Sequence, residues 1–574
     1  LRLIFRYGRP YHRDLIAAVA LIVVECGFEM VIPTLMATLI DEGVPAQDLA
    51  VILRQGGLMA LCAALALVTG LLYARFAARY ANGFAAELRK AEYAAVEKFD
   101  FANLDHFSGA SLVTRMTTDA TVLLNAVNTG LRPLVRSPVM LCMGLCMAFL
   151  LSPQLTVVFL VAAPILALML GWIVSRVAPL YGRQQRAVDH LNGRIQEALT
   201  GIRAIKAFVR GEWENEQFGA VNGELCDAST ETFRHAVLNT PVFQAVMYAA
   251  IVCIMWFGGT FILDGSMQVG QLTGFLSYVL QVLNSVMMFS GVFLQMTRSL
   301  ASARRIREVL TEQPDLADAA HPVAEVPGGA IDFENVSFKY NRQAQKNALS
   351  GITLHIPAGA TVGVIGGTGS AKTTLVQLIP RLYDATEGTV RVGGRDVRDY
   401  DLVALRDAVG IVLQKNLLFS GTIRDNLKWG KPDATDGELW AACRAAHADE
   451  FLRRMPDGLD TDLGQGGVNV SGGQKQRLCI ARTLLKQPKV LIFDDSTSAV
   501  DTATESGIRR ALAELDGVTK IIIAQRISSV QSADMIVILD DGRLHAVGTH
   551  DELLARDSIY QEIYYSQMKG GGVS

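Results

Sequence analysis

The first half of the chain contains six apolar runs, near residues 15–40, 56–78, 134–151, 155–174, 242–263 and 272–296. Each is about 20 residues, the length that crosses the hydrocarbon core of a bilayer as a helix. Hydrocarbon offers the backbone no hydrogen-bond partner, so such runs fold as helices that satisfy their own N–H and C=O groups. This feature restricts the first half to a helical, membrane-spanning domain. Half of all residues are hydrophobic, which agrees with it. A net charge of only -3 gives no reason to expect nucleic acid as a partner.

Arg2, Arg6, Arg9 and Arg13 precede the first run, and Asp41, Glu42 and Asp48 follow it. That asymmetry places the N-terminus in the cytoplasm. The first run is too long for a signal-peptide core and shows no small-residue cleavage site. The chain opens without Met and closes on Gly-Gly-Gly-Val-Ser, which reads as trimmed ends. External connections are short; only Ser152, Pro153 and Gln154 join the third and fourth runs. The two internal connections are long, helical in pattern and rich in Lys and Arg. They predict helices that continue well beyond the membrane, with turning points at Asp105, His106 and Phe107 together with 114–119, and at 202–218. These turning points are the expected coupling elements.

Glu25 and Glu29 lie inside the first run, one helical turn apart on one face. Carboxylates in a membrane are costly and face a cavity or a partner. They line a substrate or proton pathway on one reading, and form a structural pair bonded to neighbouring helices on the other. Pro33 and Pro164 are expected to kink their helices. Cys142 and Cys146, four residues apart, read as small packed hydrophobes. The eight cysteines form no CxxC pair, and no His cluster suggests a metal site. Met287, Met288, Phe289 and Met296 suit a lipophilic lining, although their spacing also fits ordinary packing.

From Ile331 the pattern changes to short strands and helices. The expected domains are 1–300 in the membrane, a linker over 301–330, and an α/β domain over 331–574. The strand 331–338 is followed by Tyr340. A second apolar strand, 360–365, runs into Gly366, Gly367, Thr368, Gly369, Ser370, Ala371, Lys372, Thr373 and Thr374, and then a helix. This is nearly GxxxxGK[ST] in its required strand–loop–helix context. Glycines there let backbone N–H groups close around phosphates at a helix N-terminus. Lys372 reaches the outer phosphates, and Thr373 offers a hydroxyl to Mg2+. Ala371 stands where the pattern wants glycine.

The stretch VSGGQKQRLCIARTLLKQPKVLIFDDSTSAVD, residues 470–501, carries the remaining chemistry. Ser471, Gly472, Gly473 and Gln474 form a turn that opens a helix. The apolar run 490–493 reads as a buried parallel strand. Asp494 and Asp495 sit at its carboxyl end, where open α/β sheets bind ligands. Gln414 follows the strand 409–413, and Gln525 follows the strand 520–524. Each piece alone is weak; their joint order is highly specific.

In the joint order of these motifs the chain resembles a half-transporter of the ATP-binding cassette (ABC) exporter superfamily, and the resemblance covers essentially its whole length. It implies an all-α six-helix transmembrane domain followed by an α/β P-loop cassette, a multi-pass protein of a bacterial plasma membrane, and ATP with Mg2+ as cofactors. Two cassettes would meet head to tail, each ATP lying between one chain's phosphate loop and the other's signature turn. By resemblance, Tyr340 stacks on adenine, Gln414 senses Mg2+ and water, and Asp494 holds Mg2+. Ser471, Gly472, Gly473 and Gln474 face the partner's γ-phosphate, and the loop 498–501, ending in Asp501, crosses between cassettes.

Three further positions depart from that family's hydrolytic pattern. Asp495 replaces the glutamate that activates water, Gln525 replaces the switch histidine, and Gln465 replaces a glutamate before the signature. Val470 replaces a leucine beside an otherwise intact signature. Losing a methylene withdraws a carboxylate by roughly an ångström, a misplacement that can cost about a hundredfold in rate. Glutamine can hydrogen-bond a phosphate but cannot carry a positive charge. The resemblance therefore implies the degenerate-site subunit of a heterodimeric exporter of small lipophilic substrates. Its site on its own Walker motifs would be slow, and its signature would complete a second half-transporter's catalytic site. Alternatives are a homodimer with two slow sites, or an ATP-gated channel or regulatory subunit. The last would carry a long regulatory insert or an extra membrane domain, and an importer would carry an added N-terminal substrate domain. Neither feature occurs in these residues, and the six spans exclude a soluble ABC ATPase of DNA repair.

Overall fold

The computed structural model describes residues 2–341, 344–495 and 502–570, except for the side chains of 2, 159, 289–298, 502–503 and 568–570. These residues divide into two compact units, Leu1–Lys98 with Ser108–Glu312, and Phe99–Phe107 with Gln313–Ser574.

The first unit is helical. Its long helices are His12–Thr38, Leu49–Val96, Ala120–Leu151, Pro153–Thr200, Gly211–Ala236, Asn239–Leu263 and Val269–Thr311. Among the described residues, five helical stretches are long and apolar enough to cross a membrane. The expected sixth run lies in Val269–Thr311, part of whose side chains fall outside those described. At 1.5 Å per residue, a 48-residue helix such as Leu49–Val96 is about 72 Å long. That is more than twice the roughly 30 Å of hydrocarbon it must cross. Such helices extend far past the bilayer, as the long polar connections predict.

Local chemistry sets the helix ends. Asp48 accepts from the amides of Ala50 and Val51, and Ser152 accepts from Leu155, each capping the helix that follows. The carboxylate of Asp41 accepts from Gly270 and Gln271 at 2.5 and 2.9 Å, joining the first external loop to the N-terminus of Val269–Thr311. An anion there satisfies free amides and meets the positive end of the helix dipole. Gly270 permits the approach, because a Cβ would lie 2.4 Å from the Ala37 carbonyl.

The turning points differ from expectation in detail. The first is a short helix, Phe101–His106, beginning four residues before Asp105. The segment 114–119 is no turn: Arg115–Asp119 is a widened helical turn running straight into Ala120–Leu151. The second is another short helix, Ile202–Ala207, with no buried residue. The first eleven residues of 301–330 continue the last long helix as far as Thr311.

Among the described residues, ten strands build the second unit: β1 (Ile331–Phe338), β2 (Leu349–Ile356), β3 (Thr361–Ile365), β4 (Glu387–Val392), β5 (Arg395–Asp396), β6 (Val409–Val412), β7 (Val490–Asp494), β8 (Thr519–Ile523), β9 (Met535–Asp540) and β10 (Arg543–Gly548). An antiparallel sheet runs β2-β1-β4-β5, and a six-stranded sheet runs β10-β9-β3-β8-β7-β6. In the larger sheet β9, β3, β8, β7 and β6 are mutually parallel, with β10 antiparallel at the edge. Every residue of β7 is buried, as the apolar run 490–493 requires, with Asp494 buried at its carboxyl end.

Candidate nucleotide site

Strand order assembles the site. β3, β8, β7 and β6 are consecutive neighbours, so their carboxyl ends form one row. Asp494 pairs with Ile523, and Phe493 with Val412. Gln525 and Gln414, each two residues past its strand, therefore leave the sheet on either side of Asp494 and Asp495. Residues scattered over some 160 positions of sequence share one edge for this reason.

The loop after β3 wraps into the helix Lys372–Gln377. Gly366 has φ +153°, and a Cβ there would lie 2.1 Å from the Leu539 carbonyl, so only glycine fits. Ala371 keeps the left-handed backbone that glycine would adopt freely, with φ +69°. The methyl group thus leaves the turn intact but strained. Lys372 donates to the carbonyls of Gly366 and Gly367 at 3.0 and 2.8 Å. Burial pulls its pKa down, opposed by Asp495 and Asp494. Thr373 donates its hydroxyl to Asp494 Oδ1 at 2.8 Å. Burial raises the pKa of Asp494, and that bond restrains the rise.

Asp495 follows β7 with φ +46°, and its amide donates to the Ile523 carbonyl. Gln525 Nε2 donates to Asp495 Oδ2 at 2.8 Å. Burial raises the pKa of Asp495 as well, and the Gln525 bond opposes it.

Tyr340 stands edge-on to Tyr383 and Phe338, with ring centres 5.3 and 4.9 Å away, and its hydroxyl shares a 2.9 Å hydrogen bond with Thr374. Its half-exposed ring borders a cleft of about 440 Å³ whose other walls include Gly369, Lys372, Thr373, Lys346 and Asp541. The aromatic residue and the phosphate loop thus share one cleft. Lys346 and Asp541, an exposed ion pair at 2.7 Å on its rim, carried no sequence signal.

Ser471 caps the helix Gly472–Leu485 reciprocally: its Oγ accepts from the Gln474 amide, and Gln474 Oε1 accepts from the Ser471 amide. Ser471 and Gly472 are exposed, so this helix N-terminus is presented outward. Val470 is buried among Leu418, Leu463 and Leu478, where a branched apolar side chain is all the site needs. Asp501 and the rest of 498–501 lie outside the described residues.

In the helical unit, Glu25 accepts from Arg132 at 2.5 Å and from Arg136 at 3.1 Å, and Glu29 accepts from Arg136 at 2.5 Å. Sequence reasoning missed both arginines. Their matching four-residue spacing on the Ala120–Leu151 helix was the available signal.

Comparison with known proteins agrees with this architecture. Residues 15–286 match the family described as ABC transporter transmembrane region, and residues 349–498 match the family described as ABC transporter. An uncharacterised ABC transporter ATP-binding protein of Bacillus subtilis, YfiB, is 36% identical, with 97% of both chains covered. Another B. subtilis relative, YgaD, provisionally described as a multidrug export ATP-binding/permease protein, is 31% identical over 98% of both. The structure of a bacterial Atm1-family ABC exporter with ATP bound superposes with a TM-score of 0.83 at 25% identity, covering 97% of this chain and 99% of that one. The chain therefore belongs to the ABC transporters, as a multi-pass membrane exporter whose helical domain is fused to a cytoplasmic ATP-hydrolysing cassette.

Proposed function

We propose that this chain is one subunit of a heterodimeric exporter of lipophilic, drug-like compounds, working by alternating access. Its own phosphate loop holds ATP at a site that turns over slowly or not at all. Its outward-facing signature turn, 471–474, completes the competent site of a second half-transporter. That partner carries a glutamate after its Walker B aspartate and a switch histidine.

One observation carries the slow-site reading: the Asp495 carboxylate is held by the Gln525 amide at 2.8 Å. A carboxylate at the end of β7 is where a water-activating base belongs, but this one is a methylene short. Its neighbour is an amide, which donates a hydrogen bond without supplying or exchanging a proton. Binding chemistry is retained, since Lys372 and the phosphate-loop amides remain in place. Mg2+ fits the pair Thr373–Asp494, a hydroxyl and a buried carboxylate oxygen 2.8 Å apart, with Gln414 on the adjoining strand end. When bound, the cation would neutralise phosphate charge. Tyr340 offers adenine an aromatic face beside the loop.

Glu25 and Glu29 use their carboxylates on Arg132 and Arg136, which supports a structural tie between the first and third spans. The drug-like substrate class is supported by the multidrug description of one relative.

The test is to co-express this chain with a half-transporter bearing the consensus residues and measure ATPase activity of the purified pair. Asp495→Glu with Gln525→His should raise the rate, while Glu→Gln in the partner should nearly abolish it. An unchanged rate in the first variant, or stable, fully active particles of this chain alone, would refute the heterodimer.

A further inference from the structure

A glutamine of the C-terminal helix hydrogen-bonds the backbone of the loop after β8 at two points. Gln567, near the end of Ser558–Gly570, donates Nε2 to the Gln525 carbonyl at 2.8 Å. Its Oε1 accepts from the Ile527 amide at 2.9 Å. One primary amide thus spans Arg526 and pairs with the backbone on both sides of it, as a neighbouring strand would. Only a side chain with an adjacent donor and acceptor can make both bonds; glutamate lacks the donor and lysine the acceptor.

The clamp has a rigid base. Tyr560 of the same helix is fully buried and shares a 2.6 Å hydrogen bond with His550. Ile563 and Tyr564 pack on the cluster that contains Ile527 and Val530. The opposite side of the loop is also held: Ser529 donates to the buried Glu505 at 2.6 Å, and Arg509 donates to the Ser528 carbonyl. Gln525 itself is exposed, and its side chain reaches Asp495. The two bonds from Gln567 act on the backbone of that residue and of the residue two beyond.

We propose that Gln567 is a positioning residue: it holds the Gln525 backbone so that the Gln525 amide reaches Asp495 and the terminal phosphate of ATP. This inference rests on the reading of Gln525 as a phosphate-facing residue.

The test measures binding of ATPγS·Mg and ADP·Mg to the full-length chain in lipid nanodiscs, by competition with a fluorescent nucleotide. Gln567→Ala and Gln567→Glu should each weaken ATPγS about three- to tenfold, the range one or two hydrogen bonds supply. ADP affinity should stay within about twofold. Gln525→Ala should show the same selectivity, and adding Gln567→Ala to it should change nothing further. Equal losses for both nucleotides, or additive losses in the double variant, would make Gln567 merely structural and overturn the proposal. Should Gln525→Ala weaken ATPγS selectively while Gln567→Ala and Gln567→Glu do not, only the positioning role falls. Should Gln525→Ala itself show no selectivity, the reading beneath it falls too. Gln567→Glu keeps the Ile527 bond, so it guards against a variant that simply fails to fold.

Discussion

Tyr383 donates its hydroxyl to Asp105 Oδ2 at 2.7 Å, linking the cassette to the short helix Phe101–His106. The Tyr383 ring also meets Phe101 edge-on at 5.9 Å and Tyr340 at 5.3 Å. Burial and the Asp105 carboxylate together hold the Tyr383 hydroxyl above its ordinary pKa, so it stays a donor at physiological pH. Asp100 completes the attachment by accepting from the amides of Asp315 and Leu316 at 2.6 and 3.1 Å. The residue that borders the nucleotide cleft therefore touches one that grips the short helix Phe101–His106.

Tyr383→Phe keeps the ring and removes the bond to Asp105. The expected cost is about 1 kcal/mol in local stability of residues 101–106. Hydrogen exchange of those amides should speed up about fivefold, while ATP affinity changes little. Unchanged exchange would show that the ring contacts alone hold the helix.

Ala371→Gly should relieve the left-handed strain at φ +69°. A non-glycine residue there costs roughly 1 kcal/mol. ATP affinity of the full chain is expected to rise up to about fivefold by equilibrium binding. A weaker or equal affinity would mean the surrounding loop has absorbed the methyl group without strain.

Thr373→Val removes the hydroxyl held by Asp494. Mg2+ should strengthen ATP binding in the parent chain, and chelation with EDTA should remove that gain. In the variant, affinity should be low and nearly indifferent to EDTA. Retained Mg2+ dependence would place the cation elsewhere.

Glu25→Gln would leave Arg136 and Arg132 without their shared buried carboxylate. Removing one partner of a buried pair costs about 3–5 kcal/mol. The lower end is expected here, because the Arg132 side chain is 42% exposed. The readout is a fall in apparent melting temperature in detergent, with a smaller fall for Glu29→Gln. A stable variant that has lost only transport would restore the substrate-pathway reading.

Much of the architecture was legible from periodicity and local motifs. Apolar runs of membrane length appear as long helices, and β1, β3, β6, β7 and β8 fall within a residue or two of the expected strands. The phosphate loop and the turn at 471–474 that opens a helix were readable because their chemistry is local: Ser471 bonds the amide three residues on. Boundaries at the coupling segments were less legible. The Phe101–His106 helix starts at a local capping box between Asp100 and Asn103, but the second Asp100 oxygen also ties it to the amides of 315 and 316, more than 200 residues away.

What the sequence determined by itself is the kind of site: a phosphate loop, two consecutive carboxylates, and the substitutions Ala371, Asp495 and Gln525, each a property of one residue in one local pattern. Tertiary structure decided which groups meet. Strand order sets Gln525 against Asp495, helix packing neutralises Glu25 and Glu29 with Arg132 and Arg136, and the C-terminal helix delivers Gln567 to the loop it holds. Hydrogen bonds, including those within the ion pairs, form only when donor and acceptor come within about 3 Å. Partners separated by 30 to 111 positions in the chain are therefore fixed by how sheets and helices stack, not by any pattern along the sequence.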